Sequence, residues 1–116
     1  MTHQEVTFTL EQIAAYADVS GDRNPIHLDG GFARSVGLPG VIAHGMLQMG
    51  LLGTVAAKEA GGPDRLRRLS CRFAGMVVPG DTVSFSANAA EHGALELRAV
   101  NQRGEPVLTK TVAEVI

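Results

Sequence analysis

Residues Val41 to Ala60 form a run that is apolar almost all the way round, and no Asp or Glu occurs from Gly30 through Lys58. A surface helix keeps a polar face, so this pattern predicts a helix buried on every side. In a chain of 116 residues such a helix takes up most of the available interior, and the rest must enclose it. Gly61-Gly62-Pro63-Asp64 ends the helix, and beyond it every segment reads as strand or turn. Leu69, Cys71 and Phe73 alternate with Arg68, Ser70 and Arg72; Val83, Phe85 and Ala87 alternate with Thr82, Ser84 and Ser86. Leu95, Leu97 and Ala99 follow a turn at His92-Gly93, and Val107 to Val115 follows one at Arg103-Gly104, with a further tight turn at Pro79-Gly80-Asp81. One apolar face per strand predicts an antiparallel sheet with one side on the helix and the other more open. The pattern specifies an α+β chain with a single domain over 1–116.

Three glycines, Gly45, Gly50 and Gly53, lie in or at the start of the helical run, where each costs about 1 kcal/mol relative to Ala. Either a sheet wraps tightly against the helix or a substrate channel passes it. Upstream, Val6 to Thr9 reads as a short strand. Thr9-Leu10-Glu11-Gln12 is a capping-box pattern opening a helix with Ile13, Ala14, Tyr16 and Ala17 on its apolar stripe. That helix ends at Ser20-Gly21. Leu28 to Arg34 reads as a short helical turn with Asp29 near its start, and Gly37 to Gly40 as a loop.

Between the two helices, Ser20-Gly-Asp-Arg-Asn-Pro-Ile-His27 sets Asp22 and His27 five residues apart on a segment that Pro25 keeps from running as a long helix. A carboxylate and an imidazole held on one compact loop can share proton transfers with a bound substrate. Taken singly, Asp22 could cap a turn and His27 could be a satisfied, half-buried histidine. The pairing gains weight from a second polar feature, His44-Gly45, at the start of the apolar run. There the free N–H groups and positive end of a helix favour negative charge.

Other function classes fit poorly. A net charge of −2, with one Tyr and four Phe, offers no nucleic-acid surface. Gly45 to Ala57 is too short to cross a bilayer, and the first residues carry no signal-peptide pattern. The lone Cys71 has no disulfide partner and points to a reducing cytoplasm; on an apolar strand face with no neighbouring histidine, it reads as core rather than nucleophile. No Cys/His metal spacing or phosphate loop is present, so neither metal nor cofactor is expected. His3, in a loose terminus, and His92, in a turn, read as solvated bystanders. Arg65, Arg67, Arg68 and Arg72 make either a solvated strand edge or a contact for phosphates or an acidic carrier protein.

Read together, Ser20-Gly-Asp-Arg-Asn-Pro-Ile-His27 and Ile42-Ala-His-Gly-Met46 resemble the signature of the MaoC-like (R)-specific enoyl-thioester hydratases and 3-hydroxyacyl-thioester dehydratases. The stretch Gly37 to Gly50 is similar to the catalytic subunit of fatty-acid dehydratase complexes. The resemblance runs from about Phe8 to the C-terminus. It implies a hot-dog fold, with an antiparallel sheet wrapped around one long buried helix. It implies Asp22 and His27 as the acid/base pair and the Gly45 N–H as the donor to the thioester oxygen. Asn24 and His44 would support or contact the substrate, and Arg67, Arg68 and Arg72 would meet coenzyme A or an acyl-carrier protein. The partner would be a second copy or a related hot-dog subunit, and in the heterodimeric case this chain could instead serve binding. Hot-dog thioesterases commonly place a catalytic carboxylate on the central helix, and here no Asp or Glu occurs from Gly30 through Lys58, which argues against thioester hydrolysis. Some of the hydratases place a serine one or two turns into that helix, where Gly50, Gly53 and Thr54 stand here.

Overall fold

The computed structural model covers residues 1–116. Strand β1 (Thr2–Thr7) leads into helix α1 (Leu10–Ser20), a 3-10 turn at Pro25–His27 and the short helix α2 (Gly30–Ser35). The long helix α3 (Gly45–Ala60) and a 3-10 turn at Pro63–Arg65 follow. Four strands complete the chain: β2 (Leu66–Phe73), β3 (Thr82–Ala89), β4 (Ala94–Asn101) and β5 (Pro106–Val115). The five strands form one antiparallel sheet in the order β1-β3-β4-β5-β2. Helix α3 touches all five strands, so the sheet curls around it in the hot-dog arrangement.

The core follows the sequence periodicities. Val83, Phe85 and Ala87 of β3 and Leu95, Leu97 and Ala99 of β4 turn inward and join Leu52, Val55 and Ala56 of α3 in one cluster. Phe8, Phe85, Ile13 and Leu52 are completely buried, each contributing about 1.5–3 kcal/mol through apolar burial. Thr9 caps α1 by accepting the Gln12 N–H at 3.1 Å, and Asp29 caps α2 by accepting the Phe32 N–H at the same distance. Strand β5 carries one extra residue opposite β2, between the partners of Ser70 and Arg72, and Lys110 takes a left-handed conformation there (φ 49°). Such a bulge increases local twist and helps the sheet curl.

Several sequence readings need correction. The central helix begins at Gly45 rather than Val41, because tertiary bonds claim the residues before it. The Ile42 N–H donates to Ile26 O at 3.1 Å and the Ala43 N–H to Val77 O at 2.8 Å, which keeps 41–44 extended. Strand β1 starts at Thr2, not Val6, and His3 pairs with Ser86 instead of trailing in a loose terminus. Phe73 does not point into the core: β2 is an edge strand, and the ring is 53 % exposed. Tight packing explains two of the three helical glycines. A Cβ on Gly45 would lie 2.9 Å from the Phe73 ring and one on Gly53 3.3 Å from Leu69, whereas one on Gly50 would meet nothing within 4 Å.

Candidate active site

Helix α1 stops because Gly21 turns left-handed (φ 79°), returning its N–H to Ala17 O. The chain then folds on its own polar side chains. Ser20 Oγ accepts the Asp22 N–H at 3.1 Å, and Asp22 Oδ1 accepts the Asn24 N–H at 3.3 Å. Asn24 Oδ1 accepts the Ile26 N–H at 3.2 Å, starting the 3-10 turn that ends at His27. The Asn24 carboxamide oxygen is thereby committed to the loop. One oxygen of Asp22 is also committed; the other, Oδ2, faces His27 Nε2 at 3.7 Å. That separation is too long for a direct hydrogen bond and suits a bridging water or hydroxyl.

Backbone carbonyls assign the protons of both histidines. His27 Nδ1 lies 2.8 Å from Ile42 O, and a carbonyl only accepts, so Nδ1 carries the hydrogen. In the neutral ring this leaves Nε2 with a free lone pair toward Asp22. His44 Nε2 lies 2.9 Å from Asp22 O and donates to it, leaving the buried Nδ1 without a partner. The two rings stack at 3.7 Å, 19° from parallel, and Tyr16 meets His44 edge-on at 4.9 Å. His44 thus anchors the backbone of Asp22 and supports the face of His27, both from a buried position. The His27 side chain is only 9 % exposed, whereas that of Asp22 is 54 % exposed.

Gly45 opens α3 with no side-chain cap, and its N–H meets no acceptor in the protein. Beside it lies a cavity of about 230 Å³ whose walls include His27, Ala43, Gly45, Gln48, Phe73 and Met76. Asp22 lies just outside these walls. A larger cavity of about 460 Å³ sits across the Ala74–Met76 segment against Asp81, Asn101, Arg103 and Glu105, whose side chains already bond one another. The smaller one holds the free lone pair and the free N–H that chemistry requires.

Asp22, His27 and His44 also place one potential ligand atom each within 4.8 Å of one another. A metal lies in the plane of each imidazole that binds it, about 2.0–2.1 Å from nitrogen. Two stacked rings keep their planes apart over that reach, so the three do not converge on one ion.

The arginines sit apart. Arg72 adjoins Phe73 at the cavity end of β2, while Arg68 and Arg67 lie four and five residues before it, roughly 13–17 Å along the strand. Arg68 pairs with Glu114 at 3.4 Å on the surface. Cys71 is half-buried on the same strand, and burial raises its thiol pKa, which makes it a poor nucleophile. Gln48 escaped the sequence reading. Its signal was a lone amide one turn beyond His44-Gly45.

A family model described as "MaoC like domain" matches residues 1–112. The chain is 43 % identical over 94 residues to the fatty acid synthase subunit beta of Aspergillus oryzae, a match covering 78 % of this chain and 5 % of that one. It is 38 % identical over 79 residues to 3-hydroxyacyl-thioester dehydratase Y of Mycobacterium tuberculosis, covering 66 % of this chain and 27 % of the relative. The chain therefore spans a minor part of both. Among solved structures, the (R)-hydratase from A. caviae involved in PHA biosynthesis superposes with a TM-score of 0.77 at 28 % identity. That match covers 97 % of this chain and 89 % of the hydratase.

Proposed function

Since this chain belongs to the MaoC-like domain family, we propose that it catalyses the reversible addition of water to a trans-2-enoyl thioester, giving the (R)-3-hydroxyacyl thioester. One observation carries the reading: a bare imidazole nitrogen and a carboxylate oxygen face each other beside a cavity that also receives an unpartnered helix-start N–H. The gap between His27 Nε2 and Asp22 Oδ2 would hold the water by its two hydrogens. As the water oxygen bonds to C3, one proton passes to the pair and the C2=C3 electrons move toward the carbonyl. The enolate oxygen that forms receives the Gly45 N–H. The pair then returns a proton to C2, restoring the thioester. The two groups act as one coupled acid/base unit. Dehydration is the same path reversed.

The substrate in this reading is a coenzyme A or acyl-carrier-protein thioester, with Arg67, Arg68 and Arg72 meeting its phosphates or an acidic carrier. No helix is long and apolar enough to cross a membrane; the unpaired Cys71 favours a cytoplasmic setting. The open edge of β2 and the half-exposed Phe73 favour a dimer joined along that edge, with a second copy or a related hot-dog subunit. Light scattering of the purified chain, alone and with such a subunit, tests the assembly.

The decisive assay follows the absorbance of the enoyl-thioester band with crotonyl-CoA and the purified chain. Hydration removes the conjugation and the band decays. A band that stays constant at high enzyme concentration, with free acid absent, would sink the reading.

A further inference from the structure

Gln48 is buried, with 3 % of the residue exposed, yet its Oε1 has no hydrogen-bond partner in the protein. Buried polar groups are almost always satisfied, and a carboxamide left this way in an otherwise apolar helix calls for a partner from outside the chain. Gln48 lines the same cavity as His27 and Gly45. It stands three residues after Gly45, on the same face of α3, and side chains on a helix lean back toward its N-terminus. Its amide therefore leans toward the free Gly45 N–H.

Resting on the hydratase reading above, the geometry points to Gln48 as a second donor to the thioester oxygen, completing with Gly45 a two-donor site for the enolate. A single backbone N–H is a thin stabiliser for an oxygen that gains nearly a full charge, and sites of this kind commonly set two donors on it. A carboxamide is suited to the task. It is uncharged, so it does not compete with Asp22 and His27 for protons. It offers two N–H groups on a nitrogen that, unlike the enclosed Oε1, is not walled off and bonds nothing else in the chain, so both are left for the cavity. The apolar neighbours Leu47 and Leu52 supply no such group.

The test uses butyryl-CoA carrying ¹³C at the carbonyl, a saturated thioester that binds without reacting. Infrared difference spectra compare its carbonyl stretch on the wild type, on Gln48→Met and on Gln48→Glu. Hydrogen bonds to the oxygen lower the stretch, so the wild type should show the largest downshift and both variants a smaller one. In parallel, Gln48→Met should lower kcat on crotonyl-CoA about 100-fold with KM changed less than threefold, as expected for a donor that acts in the transition state. Its Tm should stay level or rise, because an orphaned polar group has been replaced by an apolar one of similar shape. An unchanged stretch and kcat in Gln48→Met, or a fall in Tm with full activity in the surviving enzyme, overturns the assignment. If the methionine variant does not fold, the isosteric Gln48→Glu decides on the same spectrum. A wild type that neither binds the thioester nor shifts its carbonyl overturns the hydratase reading itself, a separate result.

Discussion

Two aspartates on tight turns of this chain are treated in opposite ways. Asp81, 5 % exposed, accepts the Val78 N–H at 3.1 Å and Gln102 Nε2 at 2.8 Å, with Arg103 at 3.7 Å. Burial alone would raise its pKa, but the bonds from Gln102 and Val78 and the Arg103 charge outweigh that and hold the carboxyl below its usual range. Asp22 keeps one oxygen free, 3.7 Å from an imidazole lone pair that also lacks a partner. Around it stand more unmet groups: the Gly45 N–H, His44 Nδ1 and Gln48 Oε1. A turn built for stability saturates its carboxylate. A turn built for chemistry leaves capacity for a substrate to fill.

The largest test of that contrast is at the unsaturated pair. Asp22→Asn and His27→Ala should each lower kcat/KM on crotonyl-CoA by at least ~100-fold. Asp22→Asn should melt close to wild type, whereas His27→Ala should stay folded but lose about 1–3 kcal/mol with its stack on His44 and its bond to Ile42 O. Near-native turnover in either variant would break the comparison at its functional end. The second test is at the saturated turn. Asp81→Ala should cost about 1–3 kcal/mol of stability, measured by urea unfolding, because it strips the acceptor from a buried donor set. The folded fraction should retain its specific activity.

Acid titration sharpens the same point. The folded-state pKa of Asp81 is depressed, so its stabilisation is present in full above the ordinary carboxylate range, near pH 4. That stabilisation fades as pH falls through the lower folded-state value. Urea midpoints between pH 5 and pH 3 should fall more steeply for the wild type than for Asp81→Asn, and parallel slopes would refute the role given to this carboxyl.

A smaller effect is expected where packing and chemistry meet. Gly45→Ala drives a Cβ to 2.9 Å from the Phe73 ring. Since that ring is half exposed and can swing, the stability loss should sit near the low end of the ~1–3 kcal/mol typical of overpacking. Phe73→Leu should restore part of it, and additive losses in the double variant would refute the contact. Smallest of all is the arginine surface. Neutralising Arg67, Arg68 and Arg72 together should raise KM a few-fold, more at low salt than at high, and leave kcat unchanged. A KM that does not move marks these residues as a solvated strand edge.

Much of this was legible from local pattern. Alternation in β3 and β4 declared the inner faces directly, and Thr9, Asp29 and Gly21 announced helix ends through chemistry confined to a few residues. The turn carrying Asp22 and His27 was legible for the same reason, because the side-chain bonds that shape it run within Ser20 to Ile26, although Ile42 and His44 then hold it from afar. What escaped depends on distant partners. Strand β1 is mostly polar at Thr2, His3, Gln4 and Glu5, and its pairing with β3 leaves no periodic trace. The true start of α3 is set by Ile26 and Val77, 16 and 34 residues from the atoms they bind. The stacking of His27 on His44 and the orphaned amide of Gln48 exist only once those distant contacts form. The sheet order, too, is a matter of closure rather than of pattern.

That order has a kinetic consequence. Strands β3, β4 and β5 are a meander joined by short turns, so their pairing needs only local search. The two flanks do not: β1 finds β3 across some eighty residues, and β2 finds β5 across some forty. Loop-closure entropy grows slowly with length, but it slows the search before any contact compensates for it. The stretch from Gly21 to Gln48 lies between β1 and β2 in the chain and cannot settle until both flanks have docked. In refolding after a denaturant jump, the far-ultraviolet sheet signal should recover ahead of turnover, and the delay measures how late in its own assembly this molecule becomes a catalyst.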